Sequence, residues 1–509
     1  MIKIKKGLDL PIAGAAERRI TYARDIGIYA VRPTDYVGLV PRLLVAEGDR
    51  VSAGDALLCD KNDERVRFVS PVSGVVKAVV RGEKRKLLAV VVERGEWESE
   101  EGELKIERTY PLASPYPSKE GEAATHVPSL EGCHEVAGHE FPILNSQFLK
   151  ESMLQQGLWP MLRQRPFGTV ANPDDTPKAI VVSCFDSAPL APDYDFALQG
   201  REQDLCKGLE ALASLGAGCL YMCFRPGQRL AGVVGQYAPL HRDDAKVVFV
   251  EGPHPAGNVG TQIAQLCPIN KGETVWTMTP QDVAVLGHWV ETGEYCPERV
   301  IAVAGPQVKN PCYYRIIAGA CVERIVRSQL LNPDYPALKM SDECLNQVRV
   351  VSGNVLSGER IAPDGFIGAY DSLLTLLPEG NYYDFMGWLL PGLDKFSFSR
   401  TFVSGFLQLL RKAKLIKDEG IDYRFDTNMH GGVRPLVFTG DMERVFPFDI
   451  YPLQLLKACI VDDVELMEKL GIYEVEPEDF ALCEFIDPSK TEMQAVIREA
   501  LEKLRKEAM

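Results

Sequence analysis

The strongest constraint on the fold is an alternation of short apolar runs with an amphipathic stretch in the middle of the chain. Residues 178–184 form a continuous apolar run, as expected for a parallel strand that is buried on both faces. Residues 203–215 carry leucines at helical spacing, and residues 219–223 and 246–250 are further apolar runs of strand length. This β-α-β order predicts a doubly wound, Rossmann-like α/β domain, which we place at residues 146–297.

A dinucleotide site in such a domain needs the glycine fingerprint G-x-G-x-x-G after a strand. The nearest match begins at Gly216, but Tyr221 occupies the third glycine position and the motif follows a helix-like stretch. A glycine-rich loop at residues 251–260 could bind an anion through backbone amides, although Pro253 and Pro255 remove two of the donors. We therefore predict a rigid packing or interface loop there rather than a phosphate site.

The N-terminal part has a different pattern, because residues 26–95 are short β-branched runs separated by Gly-Asp and Ser-Gly turns. Its two halves are alike, which predicts a small β-sandwich that resembles the biotinyl/lipoyl carrier hammerhead. Such carriers bear their prosthetic group on an exposed lysine, and Lys61 is the candidate here. Lys61 has no flanking methionines and is far in sequence from Ser70. The prediction for residues 1–95 is a structural β-domain without a covalent prosthetic group.

Residues 96–145 change in composition from acidic to rich in Pro, Ser and Gly, which is typical of a linker or a loose excursion. Near its end stand four side chains that can bind metals: Cys133, His134, His139 and Glu140. The five-residue spacing of the two histidines does not place them on one helix face. A polar loop is therefore the favoured interpretation, and a zinc site is the alternative.

Residues 298–378 contain two compact β patterns. One runs from residues 299–308 to residues 318–325, and the other covers residues 349–358. Each has a strand–glycine turn–strand form, which predicts a small β-grasp (SLBB-like) module.

Residues 379–509 are predicted to form a C-terminal helical domain. Helical periodicity covers residues 403–415, 463–470 and 491–508. Residues 382–406 also combine dense aromatic side chains with Gly and Pro breaks. Such a segment could dock on a membrane surface or on partner helices, or it could form a buried packing layer, and both interpretations stay open.

Charge and cysteine usage limit the class of protein. The chain of 509 residues has a net charge of −15, which disfavours nucleic acid as the main partner. No apolar run approaches the length of a membrane span. Thirteen cysteines are scattered without any C-x-x-C pair, a pattern that predicts a reducing, cytoplasmic compartment rather than a disulfide framework.

Several stretches resemble one family. They are residues 1–14, 157–167, 252–257, 445–452 and 479–490, and they extend from one terminus to the other. Together they are similar to NqrA, a component of the bacterial Na+-translocating NADH:quinone reductase.

The resemblance implies a peripheral subunit without a transmembrane helix on the cytoplasmic face of the inner membrane. It implies five partner subunits, NqrB to NqrF, with docking expected on NqrB, which is a membrane protein. The complex would oxidise NADH, reduce ubiquinone to ubiquinol and export Na+, and NqrA would act at the step from semiquinone to quinol. FAD, FMN, riboflavin and iron–sulfur centres are expected in the partner subunits.

Departures from flavoprotein relatives indicate that this chain itself binds no flavin, metal or iron–sulfur cofactor. The relatives are the NADH-binding flavoprotein of complex I and RnfC of the Rnf complex. Their glycine-rich flavin loop corresponds to residues 157–168, where bulky residues such as Trp159 replace glycines. Their cluster ligands are closely spaced cysteines, whereas Cys459 and Cys483 are isolated here. A flavin/iron–sulfur NADH oxidoreductase subunit of the RnfC or complex I type is the alternative function.

A quinone head needs an apolar slot with one or two donors for its carbonyl oxygens. From composition, the candidates are the aromatic side chains Trp388, Tyr382 and Tyr383 with the donors His288 and Arg434. No spacing predicts a catalytic triad or paired carboxylates. The isolated chain is therefore expected to act only as part of the complex.

Overall fold

The structure is a computed structural model. It describes residues 1–23, 26–95, 146–330, 348–382, 395–396, 398, 410, 422–430, 432–437 and 439–508. Two short strands, β1 (Ile2–Lys3) and β2 (Glu17–Tyr22), come first and join sheets that later parts of the chain form.

The next seven strands form a two-sheet sandwich. They are β3 (Ile28–Val31), β4 (Pro41–Leu43), β5 (Arg50–Val51), β6 (Ala56–Asp60), β7 (Arg67–Val69), β8 (Gly74–Arg81) and β9 (Leu87–Arg94). One sheet has the order β3-β9-β8-β5 and the other has the order β4-β6-β7. Leu57 and Leu58 from one sheet share a core with Val90 and Val92 from the other. The predicted β-sandwich is therefore confirmed, and Lys61 lies exposed in the turn after β6.

The second unit contains a seven-stranded sheet with flanking helices. Its elements are α1 (Ser146–Gln155), β10 (Arg163–Arg165), β11 (Thr169–Val170), β12 (Ala179–Ser183), α2 (Tyr194–Ala197), α3 (Glu202–Ala213), β13 (Leu220–Phe224), α4 (Arg229–Gln236), β14 (Ala245–Glu251), α5 (Val259–Leu266), β15 (Val275–Thr277) and α6 (Pro280–Thr292). The sheet order is β1-β14-β13-β12-β15-β10-β11, and the five strands from β1 to β15 in that order run parallel.

Alternate residues of β12 explain why this strand is apolar throughout. Ile180 and Val182 belong to the core that includes α3 and α6, whereas Ala179 and Val181 pack in a separate cluster with Ile263 of α5. Both faces of the sheet are thus covered by helices, as the continuous apolar run predicts.

The third unit is a six-stranded sheet. Its own elements are β16 (Glu298–Ala304), β17 (Cys312–Ile317), α7 (Glu323–Gln329), β18 (Val348–Ser352), β19 (Glu359–Ile361) and β20 (Leu373–Pro378). The order is β19-β18-β20-β16-β17-β2. The β pattern assigned to residues 318–325 is wrong. Gly319 adopts a φ of +71°, which ends the strand, and α7 begins at Glu323.

The C-terminal unit is helical, as predicted. Its helices are α8 (Met442–Val445), α9 (Pro452–Ile460), α10 (Val464–Lys469), α11 (Ala481–Ile486) and α12 (Met493–Ala508). They enclose a core that includes Phe446, Leu455, Phe480 and Leu501. Most of the predicted helix at residues 403–415 lies outside the described residues. Among the described residues, the structure contains no helix with the length and hydropathy needed to cross a membrane.

The first 22 residues, here called the N-terminal strap, connect the later units. Strand β1 pairs in parallel with β14, and β2 pairs in parallel with β17. Between them, the Leu8 N–H donates to the His254 carbonyl at 2.8 Å, and the Ala13 N–H donates to the Tyr423 carbonyl at 3.0 Å. The strap therefore contacts the α/β unit, the C-terminal unit and the six-stranded sheet in succession.

Candidate functional site

An interdomain pocket of about 80 Å³ lies where the β-sandwich, the α/β unit and the six-stranded sheet meet. Its walls are largely aromatic. The Tyr36 ring centroid is 4.4 Å from that of Phe68 and 5.7 Å from that of Tyr370, both in edge-to-face geometry. Pro160 and Met161, from the segment between α1 and β10, complete the lining. Rings at these distances provide an apolar slot for a flat ligand.

Asp35 brings a carboxyl group to the edge of this pocket. It ends a short 3-10 turn that Pro33 begins, and the turn presents Asp35 and Tyr36 to the pocket together. The Arg32 Nη2 is 2.7 Å from Asp35 Oδ1, and the Ala369 N–H donates to Asp35 Oδ2 at 2.9 Å. Burial outweighs these contacts and raises the pKa of Asp35 to about 6.

Arg299 supplies a buried cation to the same pocket. It is 4% exposed, and its Nη2 bonds the Asp282 carboxylate. Its Nη1 is also buried and has no hydrogen-bond partner among the described residues. An unsatisfied buried donor of this kind costs about 1–3 kcal/mol, so an acceptor that entered the pocket would recover that energy.

The tyrosine hydroxyls of the pocket hold their protons tightly. The Tyr370 hydroxyl donates to the Pro160 carbonyl at 2.6 Å. Burial raises the pKa of both Tyr36 and Tyr370 well above the usual tyrosine value. At neutral pH both side chains are therefore neutral.

A second cavity, the switch-point crevice, measures about 140 Å³. It lies beyond the carboxyl ends of β12 and β15, where the strand order reverses direction, the usual place for a ligand in an open parallel sheet. Ser183, Thr277 and Asn258 line it from the α/β unit, and Asn354 and Glu478 line it from the other units. A cavity near this volume accommodates one small ring, since ~150 Å³ holds a benzene, and it is too small for a dinucleotide.

One cation separates the two cavities. Arg163 lines the switch-point crevice, and its guanidinium carbon lies 4.7 Å from the ring centroid of Tyr370, which lines the interdomain pocket. A ligand in either cavity would therefore be felt by the same cation–π pair.

Comparison with known proteins gives the family. The model of the NqrA N-terminal barrel-sandwich hybrid domain matches residues 2–95, that of the NqrA second alpha/beta domain matches residues 144–295, and that of the NQRA C-terminal domain matches residues 300–336. The NqrA protein of the Na+-translocating NADH-quinone reductase of Serratia proteamaculans is 36% identical over 513 residues, which cover 100% of both chains. The protein of the same name from Rhodopirellula baltica is 34% identical and covers 99% of this chain and 98% of its own.

The chain belongs to the NqrA family. Its curated members are named as a subunit of a reductase, so the chain is a component of an enzyme complex rather than a carrier or a nucleic-acid-binding protein. The air-oxidized state of an NAD+-reducing nickel–iron hydrogenase also matches, with 12% identity and a TM-score of 0.32 over 65% of this chain and 55% of that one. That similarity is too low to carry an argument.

In this NqrA-family chain the predicted flavin-loop segment, residues 157–168, contributes to a packed core. Trp159 and Leu162 are fully buried. The Trp159 Nε1–H donates to the Ala171 carbonyl at 2.7 Å, and its ring lies edge-to-face on Trp276 at 5.5 Å. The bulky residues therefore stabilise the junction of α1 with the sheet, and Pro160 and Met161 of this segment reach the interdomain pocket.

The loop at residues 251–260 packs against the N-terminal strap. The His254 N–H donates to Asp9 Oδ1 at 2.8 Å, and the Ser187 Oγ lies 3.1 Å from His254 Nδ1. His254 is buried, and its desolvation lowers its pKa to about 4, so the ring is neutral. These contacts are those of a packing loop, in agreement with the interpretation from the sequence.

The structure does not bring the predicted quinone-proximal residues together. The Tyr382 hydroxyl donates to Asp426 in the C-terminal unit, His288 lies on α6 with its Nδ1 3.7 Å from Asp204, and the Arg434 N–H donates to the Ser489 carbonyl. None of these three lines either cavity. Tyr383 and Trp388 lie outside the described residues, so their position remains a prediction.

The candidate cofactor ligands give a similar result. Cys133, His134, His139 and Glu140 lie outside the described residues. Cys459 and Cys483 are both in the apolar core of the C-terminal unit, and burial raises the pKa of the Cys459 thiol to about 12. Within the described ranges, no group of three or more His, Cys, Asp or Glu side chains is arranged to hold a metal ion.

Sequence reasoning missed Asp35 and Arg299. Both have a sequence signature that could have drawn attention. Asp35 follows a proline turn and precedes an aromatic residue, and Arg299 stands at the start of an otherwise apolar strand, residues 299–304. A charged residue in such a run has to find a buried partner, which makes it a candidate for a functional role.

Proposed function

We propose that this NqrA-family chain is the subunit of the Na+-translocating NADH:quinone reductase that binds the quinone headgroup during the step from semiquinone to quinol. The quinone would enter the interdomain pocket. The observation that carries this proposal is the buried Nη1 of Arg299, which has no partner among the described residues and lies beside aromatic walls. A quinone carbonyl is an acceptor on a flat apolar ring, which is the combination that this pocket lacks.

The size of the pocket limits how a quinone can enter. About 80 Å³ is smaller than the ~150 Å³ that encloses a benzene ring, so only one carbonyl edge fits inside. The ring would lie against Tyr36 and Tyr370, with its substituents and prenyl tail outside. The same size argument disfavours the alternative, because an isoalloxazine or a dinucleotide is far larger than either cavity.

The proposal includes the rest of the complex. The partner subunits NqrB to NqrF would carry FAD, FMN, riboflavin and the iron–sulfur centres, and the chain would dock on NqrB at the cytoplasmic face of the inner membrane. Electrons from NADH would then reach the bound quinone through those partners, and Na+ would be exported. The names of the relatives and their full-length similarity support this placement.

The test is binding of ubiquinone-1 to the purified full-length chain, followed by tryptophan fluorescence and calorimetry. Ala369→Leu places a larger side chain in the pocket lining. It is expected to weaken binding about tenfold or more, because it occupies the space of the ring edge. In the assembled complex, the same variant should lose ubiquinone reduction and keep NADH oxidation with ferricyanide.

Ser357→Leu is the matched control, since it adds a similar volume to the switch-point crevice. It should bind ubiquinone-1 within about twofold of the wild type. Loss of binding in Ser357→Leu with normal binding in Ala369→Leu would move the site to the crevice. Equal binding by both variants and the wild type would contradict the proposal.

A further inference from the structure

Reduction of a quinone inside a pocket needs a source of protons as well as electrons. Quinone takes up two electrons and two protons to form quinol, and a buried oxygen that receives electron density cannot draw its proton freely from bulk water. A side chain that lines the pocket and can release a proton near neutral pH is therefore required at the inner oxygen.

We propose that Asp35 donates the proton to the quinone oxygen that enters the interdomain pocket. This inference rests on the proposed function, because it needs a quinone in that pocket. It adds a catalytic residue that lies outside the set predicted from composition.

The geometry favours Asp35 over the other polar groups of the pocket. Its side chain is 8% exposed, so it is buried enough to face the ligand and still reaches water for reprotonation. Tyr36 and Tyr370 are neutral but hold their protons too tightly to act as donors near pH 7. Arg299 is a permanent cation that can stabilise negative charge on the oxygen but cannot supply a proton.

The charged groups around Asp35 come from two segments. Arg32, on its own turn, bonds the carboxylate and is shared with the surface residue Glu359 at 3.2 Å. From the loop that packs against this turn, the Ala369 N–H bonds Asp35, and the negative charge of Asp371 raises its pKa. Burial is the largest influence, and the resulting pKa of about 6 keeps a protonated fraction near neutral pH.

The two electrons that reduce the quinone come from NADH through the complex. As they enter the ring, the O–H bond of Asp35 breaks, its electron pair stays on the carboxylate, and a new O–H bond forms on the inner quinone oxygen. Water at the pocket mouth protonates the outer oxygen. Arg32 then stabilises the Asp35 carboxylate until water reprotonates it.

The experiment compares Asp35→Asn and Asp35→Glu in the assembled complex. Asp35→Asn is expected to lower kcat for ubiquinone-1 reduction about 100-fold, with KM within about twofold, because the amide keeps the shape but has no acidic proton. Asp35→Glu should restore part of the activity with a displaced pH profile. NADH oxidation with ferricyanide should stay unchanged, which shows that the electron entry side is intact.

Asp371→Asn is the matched control, since Asp371 is in the same loop as Ala369 but does not line the pocket. It should keep kcat within a few-fold. Because the Asp371 charge raises the pKa of Asp35, its removal should also move the decline of the rate to lower pH. A merely structural role for Asp35 would not produce that shift.

Binding separates the two ways in which the experiment can fail. If the wild type and Asp35→Asn both bind ubiquinone-1 and Asp35→Asn keeps its kcat and pH profile, the role of Asp35 is refuted while the pocket stands. If the wild-type chain does not bind ubiquinone-1, or Ala369→Leu does not weaken binding, the proposed function itself fails.

Discussion

Buried charge explains more of this chain at the residue scale than any single sequence motif. Arg165 is 4% exposed and lies among the carboxylates of Glu476, Glu478 and Asp479. Asp479 Oδ2 accepts from Arg165 Nη1 at 3.1 Å and from the Glu476 N–H at 2.9 Å, whereas its Oδ1 has no partner among the described residues. Three carboxylates around one buried guanidinium leave excess negative charge, so one of them favours its protonated form.

Asp479 is that group, and this predicts a pH dependence of stability. Burial raises its pKa to about 7 in the folded chain, whereas an exposed aspartate titrates near pH ~4. Its contribution to stability is therefore fully present below pH ~4 and is lost as the pH rises to about 7. Asp479→Asn removes this titration, so its Tm relative to the wild type should rise by about 2 °C or more between pH 5 and pH 8, measured by calorimetry.

The difference between the two proteins isolates Asp479, since other groups such as His254 titrate equally in both. Asp487→Asn is a suitable control. Asp487 is buried in the same unit, but it accepts from the N–H groups of Ser489 and Thr491 rather than from a cationic side chain. Its replacement should lower Tm by a similar amount at both pH values. A constant Tm difference for Asp479→Asn as well would contradict the assignment.

At the scale of elements, the N-terminal strap shows why local pattern and final pairing differ. Strands β1 and β2 are short and lie close to the β-sandwich in sequence, yet they pair with β14 and β17. A strand pairs with an edge that presents unpaired N–H and C=O groups, and those edges come from residues about 250 and 300 positions later.

The strap also predicts a specific sensitivity at Gly14. Its φ is +91°, and a Cβ atom there would lie 2.3 Å from the Gly305 carbonyl oxygen, which belongs to the six-stranded unit. Gly14→Ala should therefore lower the free energy of unfolding by about 2–3 kcal/mol, from backbone strain and from loss of this close approach. Limited proteolysis should cut the strap faster, and thermal unfolding should begin earlier.

Gly48→Ala separates strain from contact. Gly48 has nearly the same φ, +90°, but nothing lies within 4 Å of the position of its Cβ. Its replacement should cost about 1 kcal/mol, the strain alone. If both variants lose the same stability, the strap does not depend on the close approach of Gly14 to Gly305.

At the scale of the whole molecule, the units are connected by ion pairs of two kinds. The Arg165 cluster joins the α/β unit to the C-terminal unit and is buried, whereas Arg65 joins the β-sandwich to the α/β unit through Asp174 and is 51% exposed. Breaking a buried pair leaves uncompensated charge, while breaking an exposed pair leaves charges that water solvates.

Arg165→Met should therefore destabilise the chain by about 3 kcal/mol and separate the unfolding of the C-terminal unit from that of the rest. Differential scanning calorimetry would detect this as an earlier, distinct transition. Arg65→Met is the matched control and is expected to leave the unfolding profile nearly unchanged. One cooperative transition at the wild-type Tm in Arg165→Met would rule out this coupling.

The sequence by itself determined the kinds of units and most of their elements. The apolar run that became β12, the leucine spacing of α3 and the amphipathic pattern of α12 each follow from a local periodicity. The motifs spread along the chain also identified the family. The same local reasoning failed at residues 318–325, where the backbone conformation of Gly319 against a neighbouring unit decided the outcome.

Only the tertiary structure decided where the functional groups meet. Asp35, Phe68, Arg299 and Tyr370 are far apart in the sequence and converge because three units dock on one another. Likewise, Arg165 reaches Asp479 across 314 positions. Periodicity encodes which face of an element is apolar, but it does not encode which faces of different units pack together. The pocket, the strap and the buried charge cluster therefore follow from docking, where the burial of each polar group depends on partners that no local pattern specifies.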